Sequence, residues 1–316
     1  MRYFSLFTGI GGFELGLIQA YVDITHGNKI GSSKKNSKAN DGKGERLESK
    51  KGKRIDSSKR HPLQLPHWNH DPRAPHCVGY AEIDKYAIQI YERYFNHKNY
   101  GDIREIKTSN LPDFGLLIGG FPCQSFSIAG KRKGFKDTRG TLFFEISRIL
   151  RHKQPRLFLL ENVKGLTSHD DGRTFRVIIS ELVKLGYDVE WQVLNSKNFG
   201  VPQNRERVFI VGHLRGTPRP EVFPLQKDDE WNCEEHVSLE EAARGVRNMS
   251  DLKSRWRHTM HIRKLTPTEC ERLQGFPDGW TEGVSDTQRY KTLGNAVTVN
   301  VVEAITRKLL TCHGEK

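Results

Sequence analysis

Short apolar runs alternate with helix-periodic stretches along most of this chain, and this alternation restricts the fold more than any other feature. The apolar runs predict buried strands, at residues 3–8, 77–81, 114–118, 157–160 and 208–211. Between them, apolar residues recur at helical spacing, as from Phe175 to Leu185. Strands that alternate with helices favour a mostly parallel sheet covered on both faces. Ligands bind such sheets beyond the carboxyl ends of the strands.

One stretch breaks the alternation. Residues 22–76 form an insertion rich in Lys, Ser, Gly and Asn, and positions 29–60 carry 12 Lys/Arg against 4 Asp/Glu. Because it has few apolar residues, the segment cannot bury enough surface to offset its ordering entropy, and the sequence predicts disorder. The chain's net charge of +13 favours a polyanionic partner such as nucleic acid. The insertion is either a tolerated surface loop or a segment that tracks DNA phosphates.

The chain has five cysteines, at positions 77, 123, 233, 270 and 312. Their odd number and the lack of a Cys-x-x-Cys pair argue against a disulfide scaffold or a structural zinc site. We therefore expect no metal, and a cysteine is available for reactivity. No apolar run reaches the roughly 18 residues that span a bilayer, and the first residues lack the layout of a secretion signal. We expect a cytoplasmic protein.

A glycine-rich turn follows the first strand, with the sequence Phe7-Thr-Gly9-Ile-Gly11-Gly-Phe. Glycine lets the backbone approach a nucleotide-like cofactor and offers free amide donors. The spacing differs from the G-x-G-x-x-G of NAD-binding proteins, and no Gly-Lys-Ser/Thr follows as in a P-loop. Glu82 ends the second strand, where a carboxylate typically binds ribose hydroxyls. A turn without a ligand and a surface glutamate are the alternatives at this point.

Cys123 lies in the stretch Gly-Phe-Pro-Cys-Gln-Ser-Phe-Ser, directly after a buried strand. Pro122 fixes the backbone beside it, whereas a structural cysteine more often lies inside a strand or helix. Since a free thiol has a pKa near ~8.5, a nucleophilic cysteine needs nearby positive charge or backbone donors. Three basic residues, at positions 131–133, are candidates for that charge. A structural cysteine is the alternative.

Further polar residues flank two later strands. Glu161 ends the strand at 157–160, and Arg205 and Arg207 immediately precede the strand at 208–211. Each has a simpler interpretation as a cap or a solvated side chain. Polar sites at the ends of strands in one sheet converge in space, however, which disfavours those interpretations when they are taken together.

These motifs together resemble those of the bacterial cytosine-C5 DNA methyltransferases. The resemblance covers residues 3–20, 77–212 and 263–310 and adds two motifs, Arg272-Leu-Gln-Gly-Phe-Pro and Tyr290-Lys-x-x-Gly-Asn-Ala-Val. It implies an α/β fold, a Rossmann-like S-adenosylmethionine-dependent methyltransferase sheet with a small, shortened target-recognition domain.

The resemblance also implies a reaction and roles for four residues. Cys123 would add to C6 of cytosine, so that C5 can attack the methyl group of S-adenosylmethionine. Glu161 would protonate or hydrogen-bond N3, a role that suits a raised pKa. Arg207, with Arg205, would contact O2 and stabilise the adduct. The target base would be flipped out of the duplex, and a loop at 124–138 would close over it.

Eleven positions match cofactor-binding positions of the family, namely Phe7, Gly9, Gly11, Glu82, Ile83, Asp102, Ile103, Pro122, Leu142, Asn295 and Ala296. We therefore expect S-adenosylmethionine to be the methyl donor. Because Asn295 is far along the sequence, the last helix must fold back beside the first glycine turn.

Three parts are expected along the chain. A catalytic and cofactor-binding domain spans 1–212 and contains the insertion, a small target-recognition region spans 213–285, and a segment at 286–316 returns to the catalytic domain. The stretch from 213 to 262, where the family carries its recognition domain, has about 50 residues, which is short for reading DNA bases.

We expect double-stranded DNA as the partner, with a cognate restriction endonuclease that acts separately, no membrane association and a monomeric state. Three alternatives stay open. The short recognition region is compatible with a catalytically weak or inactive DNA-binding homologue. A cytosine-C5 RNA methyltransferase of the same fold is disfavoured by the Gln-Ser-Phe-Ser that follows Cys123. A nucleotide-binding oxidoreductase is disfavoured by the glycine spacing.

Overall fold

The computed structural model describes residues 1–30, 71, 73–122, 142–218, 221–225 and 263–311. Its strands are β1 (Arg2–Leu6), β2 (His76–Ala81), β3 (Leu116–Gly120), β4 (Leu157–Val163), β5 (Tyr187–Asn195) and β6 (Glu206–Leu214). The helices are α1 (Gly12–Ile30), α2 (Lys85–Tyr91), α3 (Leu142–Lys153), α4 (Arg173–Lys184), α5 (Pro267–Leu273), α6 (Asp286–Asn295) and α7 (Val299–Thr311). None of the helices in these ranges is long and apolar enough to cross a membrane.

The described strands form one six-stranded sheet in the order β2-β1-β3-β4-β6-β5. The first four strands are parallel, which confirms the predicted α/β sheet. β6 runs antiparallel to both β4 and β5, and the sequence did not indicate this reversal. β5 itself was not predicted, because most of its side chains are only half-buried at the sheet edge and its apolar signal is weak.

Helices cover both faces of the sheet. Tyr3 and Phe4 are neighbours on β1 and point to opposite faces, as a strand requires. Phe4 belongs to a buried cluster that includes side chains of α3 and α4, such as Phe143 and Ile178. Tyr3 belongs to a second cluster with side chains of α1 and α7. α7 therefore folds back against α1, as the position of Asn295 in the sequence required.

The stretch that precedes α6 packs on the catalytic core. Phe276 and Trp280 lie in one buried cluster with Ile10 and Ile90. Trp280 also donates its indole N–H to the carbonyl oxygen of Ile10 in the glycine turn, at 2.8 Å. From this packing we propose that the described part that follows 262 belongs with the catalytic domain and that a recognition region ends near 262.

Helix α1 continues into the predicted insertion. It reaches Ile30, so residues 22–30 are helical rather than disordered. Val22 packs against a buried cluster, and Tyr21 hydrogen-bonds Asp71 on the far side of the insertion. Ala74 is buried as well, which shortens the insertion at its other end. Residues 31–70 lie outside the described part of the chain.

Candidate active site

A cavity of about 1140 Å³ lies at the edge of the sheet where β1 to β4 end. Twelve of the residues predicted for the site line it, namely Phe7, Gly9, Glu82, Ile83, Asp102, Ile103, Pro122, Leu142, Glu161, Arg205, Arg207 and Asn295. Gly11 and Ala296 are not among the lining residues in the described part of the chain. Cys123 and the loop at 124–138 lie outside the described residues. The chain nevertheless leads to Cys123 from Phe121 and Pro122, both on the cavity wall.

Glu161 and Arg207 form an ion pair on the cavity wall. The Glu161 Oε1 and Arg207 Nε atoms are 3.0 Å apart, and both side chains are largely buried. Burial raises the pKa of the Glu161 carboxyl, while the charges of Arg207 and Arg205 partly oppose that shift. The result is a carboxyl that gains a proton more readily than an exposed glutamate and stays hydrogen-bonded to a cation.

The reversed direction of β6 creates this pair. In the antiparallel register Glu161 lies opposite Phe209, and Arg207 is two residues from Phe209 on the same face of the sheet. Diagonal neighbours on one face are within reach of long side chains. If β6 were parallel to β4, its first residues would lie at the opposite edge of the sheet, away from the cavity.

Arg205 hydrogen-bonds the backbone of the C-terminal segment, whereas Arg207 pairs with Glu161. Its Nη2 donates to the carbonyl oxygens of Gly294 and Ala296, at 3.0 and 2.8 Å. Asn295 lies between these two residues and lines the cavity. Burial lowers the pKa of Arg205 to about 10, which still leaves the guanidinium charged at neutral pH. Arg205 therefore attaches the Asn295 segment to the β5–β6 connection.

Asn162 and Gly120 determine the backbone contacts and the free space around Glu161. Asn162 is buried, and its Nδ2 donates to the carbonyl oxygen of Phe121 at 2.8 Å, which ties β4 to the segment that leads to Cys123. Gly120 lies opposite Glu161 in the parallel register of β3 and β4. A Cβ at Gly120 would come within 3.0 Å of Glu161 Oε2, so glycine leaves the space that the carboxylate occupies.

Glu82 lies on the cavity wall beside the glycine turn and accepts hydrogen bonds from three backbone amides. Its Oε2 accepts a hydrogen bond from the Gly9 amide at 2.8 Å, and its Oε1 accepts from the amides of Ile83 and Asp84. Ile83 lines the cavity and leaves 67% of its surface exposed. A carboxylate thus lies beside an exposed apolar face, a combination suited to the ribose and base of an adenosine.

Asp102 adds a second carboxylate at this end. It accepts from the backbone amide of Arg104 and from the Arg104 guanidinium, and the hydrogen bonds from Arg104 lower the pKa of Asp102. Asn99 links the two carboxylate-bearing segments, because its side chain bonds the carbonyl oxygen of Glu82 and the amide of Gly101. No sequence pattern indicated a role for Asn99 in the site, because its hydrogen-bond partners become neighbours only in the fold.

The two glycines of the turn have different environments. Gly9 has a φ of +59°, and a Cβ there would meet nothing within 4 Å, so the open space belongs to the cavity. Gly11 has a φ of +89°, and a Cβ there would lie 2.6 Å from the Phe95 ring. Close packing therefore explains Gly11. Ala296 is buried, and its carbonyl oxygen accepts a hydrogen bond from Arg205.

Sequence reasoning did not assign Lys291 to the site. It lines the cavity and pairs with Asp84, with 2.7 Å between Nζ and Oδ2. This ion pair joins α6 to the residue that caps α2. The Tyr290-Lys-x-x-Gly-Asn motif contained Lys291, and the motif is the signal that could have identified it.

Comparisons with known proteins identify the relatives of this chain. The family model for C-5 cytosine-specific DNA methylases matches residues 73–250 and 221–311. The chain is 39% identical over 286 residues to the Type II methyltransferase M1.ScrFI of Lactococcus lactis subsp. cremoris, covering 76% of this chain and 74% of that relative. It is 40% identical over 277 residues to the Type II methyltransferase M.NlaX of Neisseria lactamica, covering 74% and 88%. The crystal structure of the S. pombe Dnmt2 methyltransferase has the same fold, with a TM-score of 0.63 at 20% identity over 99% of each chain.

Proposed function

The chain belongs to the C-5 cytosine-specific DNA methylase family and is a DNA cytosine-C5 methyltransferase, and we propose that it works through a covalent adduct between Cys123 and C6 of the target cytosine. The buried pair of Glu161 and Arg207 carries this proposal. It lies on the cavity wall at the strand edge from which the chain continues to Cys123.

The cavity suits S-adenosylmethionine, the cosubstrate that the family implies. Its volume of about 1140 Å³ exceeds the roughly 300–1,000 Å³ of small-molecule sites, which leaves room for a cofactor together with a flipped base. Glu82 and Asp102 would accept hydrogen bonds from the ribose and the adenine, and Ile83 would pack on the base. When bound, S-adenosylmethionine supplies an electrophilic methyl group on its sulfonium.

The protein residues would carry the remaining steps. The Cys123 thiolate forms a bond to C6, and the C5=C6 electrons become available for C5 to take the methyl group. Glu161 donates its proton to N3, or a hydrogen bond, as negative charge develops on the ring. Arg207 donates to O2, and preorganised donors of this kind lower the barrier most in a site that excludes water. The C5 proton then passes to water, its bonding electrons restore the C5=C6 double bond, and the C6–S bond breaks to release the Cys123 thiolate.

The ring must leave the base stack to reach Cys123, at a cost of a few kcal/mol. We therefore infer that the substrate is double-stranded DNA with the target nucleotide flipped into the cavity. The relatives are named Type II methyltransferases, and we propose that this protein likewise acts beside a separate restriction endonuclease, as a monomer in the cytoplasm.

Methyl incorporation into DNA tests the proposal directly. The protein is incubated with double-stranded DNA and labelled S-adenosylmethionine, and bisulfite sequencing then locates the methylated cytosines. Cys123→Ser should abolish incorporation, whereas Cys270→Ser should retain it, because Cys270 lies on α5 and is not among the cavity-lining residues described. Incorporation that persists in Cys123→Ser would refute the adduct, and methylation of transfer RNA but not DNA would favour the RNA alternative.

A further inference from the structure

Residues 221–225 form a short segment that packs on the sheet beside β5 and β6. Val222, Phe223 and Leu225 are buried in one cluster with Phe209 and Val211 of β6. The segment contains neither helix nor strand, so within the described residues no ladder of backbone hydrogen bonds holds it. Its buried amides therefore need other partners.

Two side chains of β5 are those partners. Glu190 Oε2 accepts hydrogen bonds from the amides of Val222 and Phe223, at 3.2 and 3.0 Å. Gln192 Oε1 accepts from the Leu225 amide at 2.8 Å, and Gln192 Nε2 donates to the Leu225 carbonyl oxygen at 3.1 Å. Because Glu190 and Gln192 are two residues apart on a strand, both side chains point to the face on which the segment lies. The two bonds to Leu225 fix the direction of the backbone there as well as its position.

A buried histidine binds the other oxygen of Glu190. The His213 side chain on β6 is 1% exposed, and its Nε2 donates to Glu190 Oε1 at 3.0 Å, since an ionised carboxylate can only accept. Burial by itself raises the pKa of Glu190, but the hydrogen bonds from His213 and from the two amides outweigh burial, so the pKa is lowered. Glu190 therefore stays ionised at neutral pH and binds the segment through charge-assisted hydrogen bonds.

Leu225 is followed directly by the stretch from 226 to 262, which lies outside the described residues and precedes the proposed end of the recognition region. A region that reads DNA bases must be presented at one place and in one orientation relative to the cavity. Ordering a loosely held segment when DNA binds costs affinity. Hydrogen bonds that hold residues 222–225 before DNA arrives lower that cost.

We propose that Glu190 and Gln192 are positioning residues for DNA recognition. By binding the backbone of residues 222–225, they fix where and in which direction the chain leaves the catalytic domain toward the recognition region. This inference rests on the proposed function and on the place of the recognition region after residue 225. It predicts that loss of these contacts weakens DNA binding and leaves the cofactor site unchanged, because neither side chain is among the residues described as lining the cavity.

Steady-state methylation kinetics test the inference, on a duplex that carries the target cytosine located by bisulfite sequencing. Gln192→Leu removes both hydrogen bonds to Leu225, and KM for DNA should rise about tenfold, as expected for two lost hydrogen bonds. kcat at saturating DNA and the affinity for S-adenosylhomocysteine, measured by titration calorimetry, should stay near their wild-type values. Gln89→Leu is the matched control, because it also removes a hydrogen bond from a glutamine to a backbone carbonyl, that of Gly283 before α6.

Glu190→Gln is the conservative comparison. Its amide oxygen can still accept from the Val222 and Phe223 amides, but without charge assistance, so KM for DNA should rise by less than in Gln192→Leu. Should Gln192→Leu fail to fold, KM in Glu190→Gln decides the question.

The same KM for DNA in Gln192→Leu and Gln89→Leu would overturn the inference, while continued methyl transfer would leave the proposed function standing. A lower kcat at unchanged KM would indicate a loss of folded enzyme rather than of recognition, and it would overturn the inference as well. A wild type that transfers no methyl group to DNA would overturn the proposed function and the inference together.

Discussion

The Glu161 carboxylate and the Arg207 guanidinium meet at 3.0 Å across two neighbouring strands that run in opposite directions. Burial raises the pKa of Glu161 and the cation lowers it, so the pair keeps a carboxyl that is hydrogen-bonded yet easily protonated. Such a group suits a ring nitrogen that becomes more basic during the reaction.

Arg207→Met should move the pH dependence of methyl transfer as well as lower its maximum. Removal of this cation leaves the effect of burial opposed only by the charge of Arg205, so the pKa of Glu161 rises further. If Glu161 acts in its protonated form, activity is lost as pH rises through that pKa, and the alkaline limb of the rate profile moves to higher pH. Arg207→Lys keeps a charge and should shift the limb less. A limb that stays in place in both variants would argue against Glu161 as the titrating group.

Gly120→Ala should slow catalysis without weakening cofactor binding. The new Cβ would lie 3.0 Å from Glu161 Oε2 and displace the carboxylate by a few tenths of an ångström. Small misplacements of a catalytic group are costly, and we expect a fall in kcat of about tenfold. Gly165→Ala is the control, because a Cβ there meets nothing within 4 Å although Gly165 closely follows β4, the strand that carries Glu161. Equal rates for the two variants would show that the space beside Glu161 is unimportant.

Glu14→Gln should change how the stability of the protein depends on pH. Glu14 is fully buried in α1, and burial raises its pKa from the usual 4.5 to about 7. The folded state therefore holds the proton more tightly than the unfolded chain, and stability falls as pH rises from about 4.5 to about 7. The variant lacks this loss, so by pH 8 its relative gain should be on the order of 3 kcal/mol. Urea unfolding of both proteins from pH 4.5 to 8 measures it, and parallel curves would contradict the assignment.

Deleting residues 31–60, which leaves α1 intact, should weaken DNA binding and flatten its salt dependence. The segment has a large excess of Lys and Arg over Asp and Glu, and each phosphate contact contributes to the slope of log affinity against log salt. Fluorescence anisotropy with a DNA duplex at several salt concentrations measures both quantities. Binding that is unchanged at every salt concentration would identify the segment as a tolerated loop.

The sequence by itself determined the local elements and the identities of the chemical groups. Strands β1 to β4 are short apolar runs, and their prediction rests on neighbouring residues alone. The cap of α5 is equally local, because Thr266 accepts a hydrogen bond from the Glu269 amide and the Glu269 carboxylate accepts one from the Thr266 amide. Motifs such as Pro122-Cys123 and Glu161-Asn162 also identified the candidate groups, because each motif is contiguous.

Only the tertiary structure decided which groups meet. The direction of β6 places Arg207 beside Glu161, and no local pattern encodes strand direction. Gly9 and Gly11 look alike in sequence, yet one faces the cavity and the other packs against Phe95. Arg148 lies on α3, and only the fold brings the carbonyl oxygens of Ile103 and Ile106 within reach of its guanidinium. Hydrophobic periodicity depends only on residues that are close along the chain. Hydrogen bonds and ion pairs also form between residues that are far apart in sequence, and only the packed chain brings those atoms within reach.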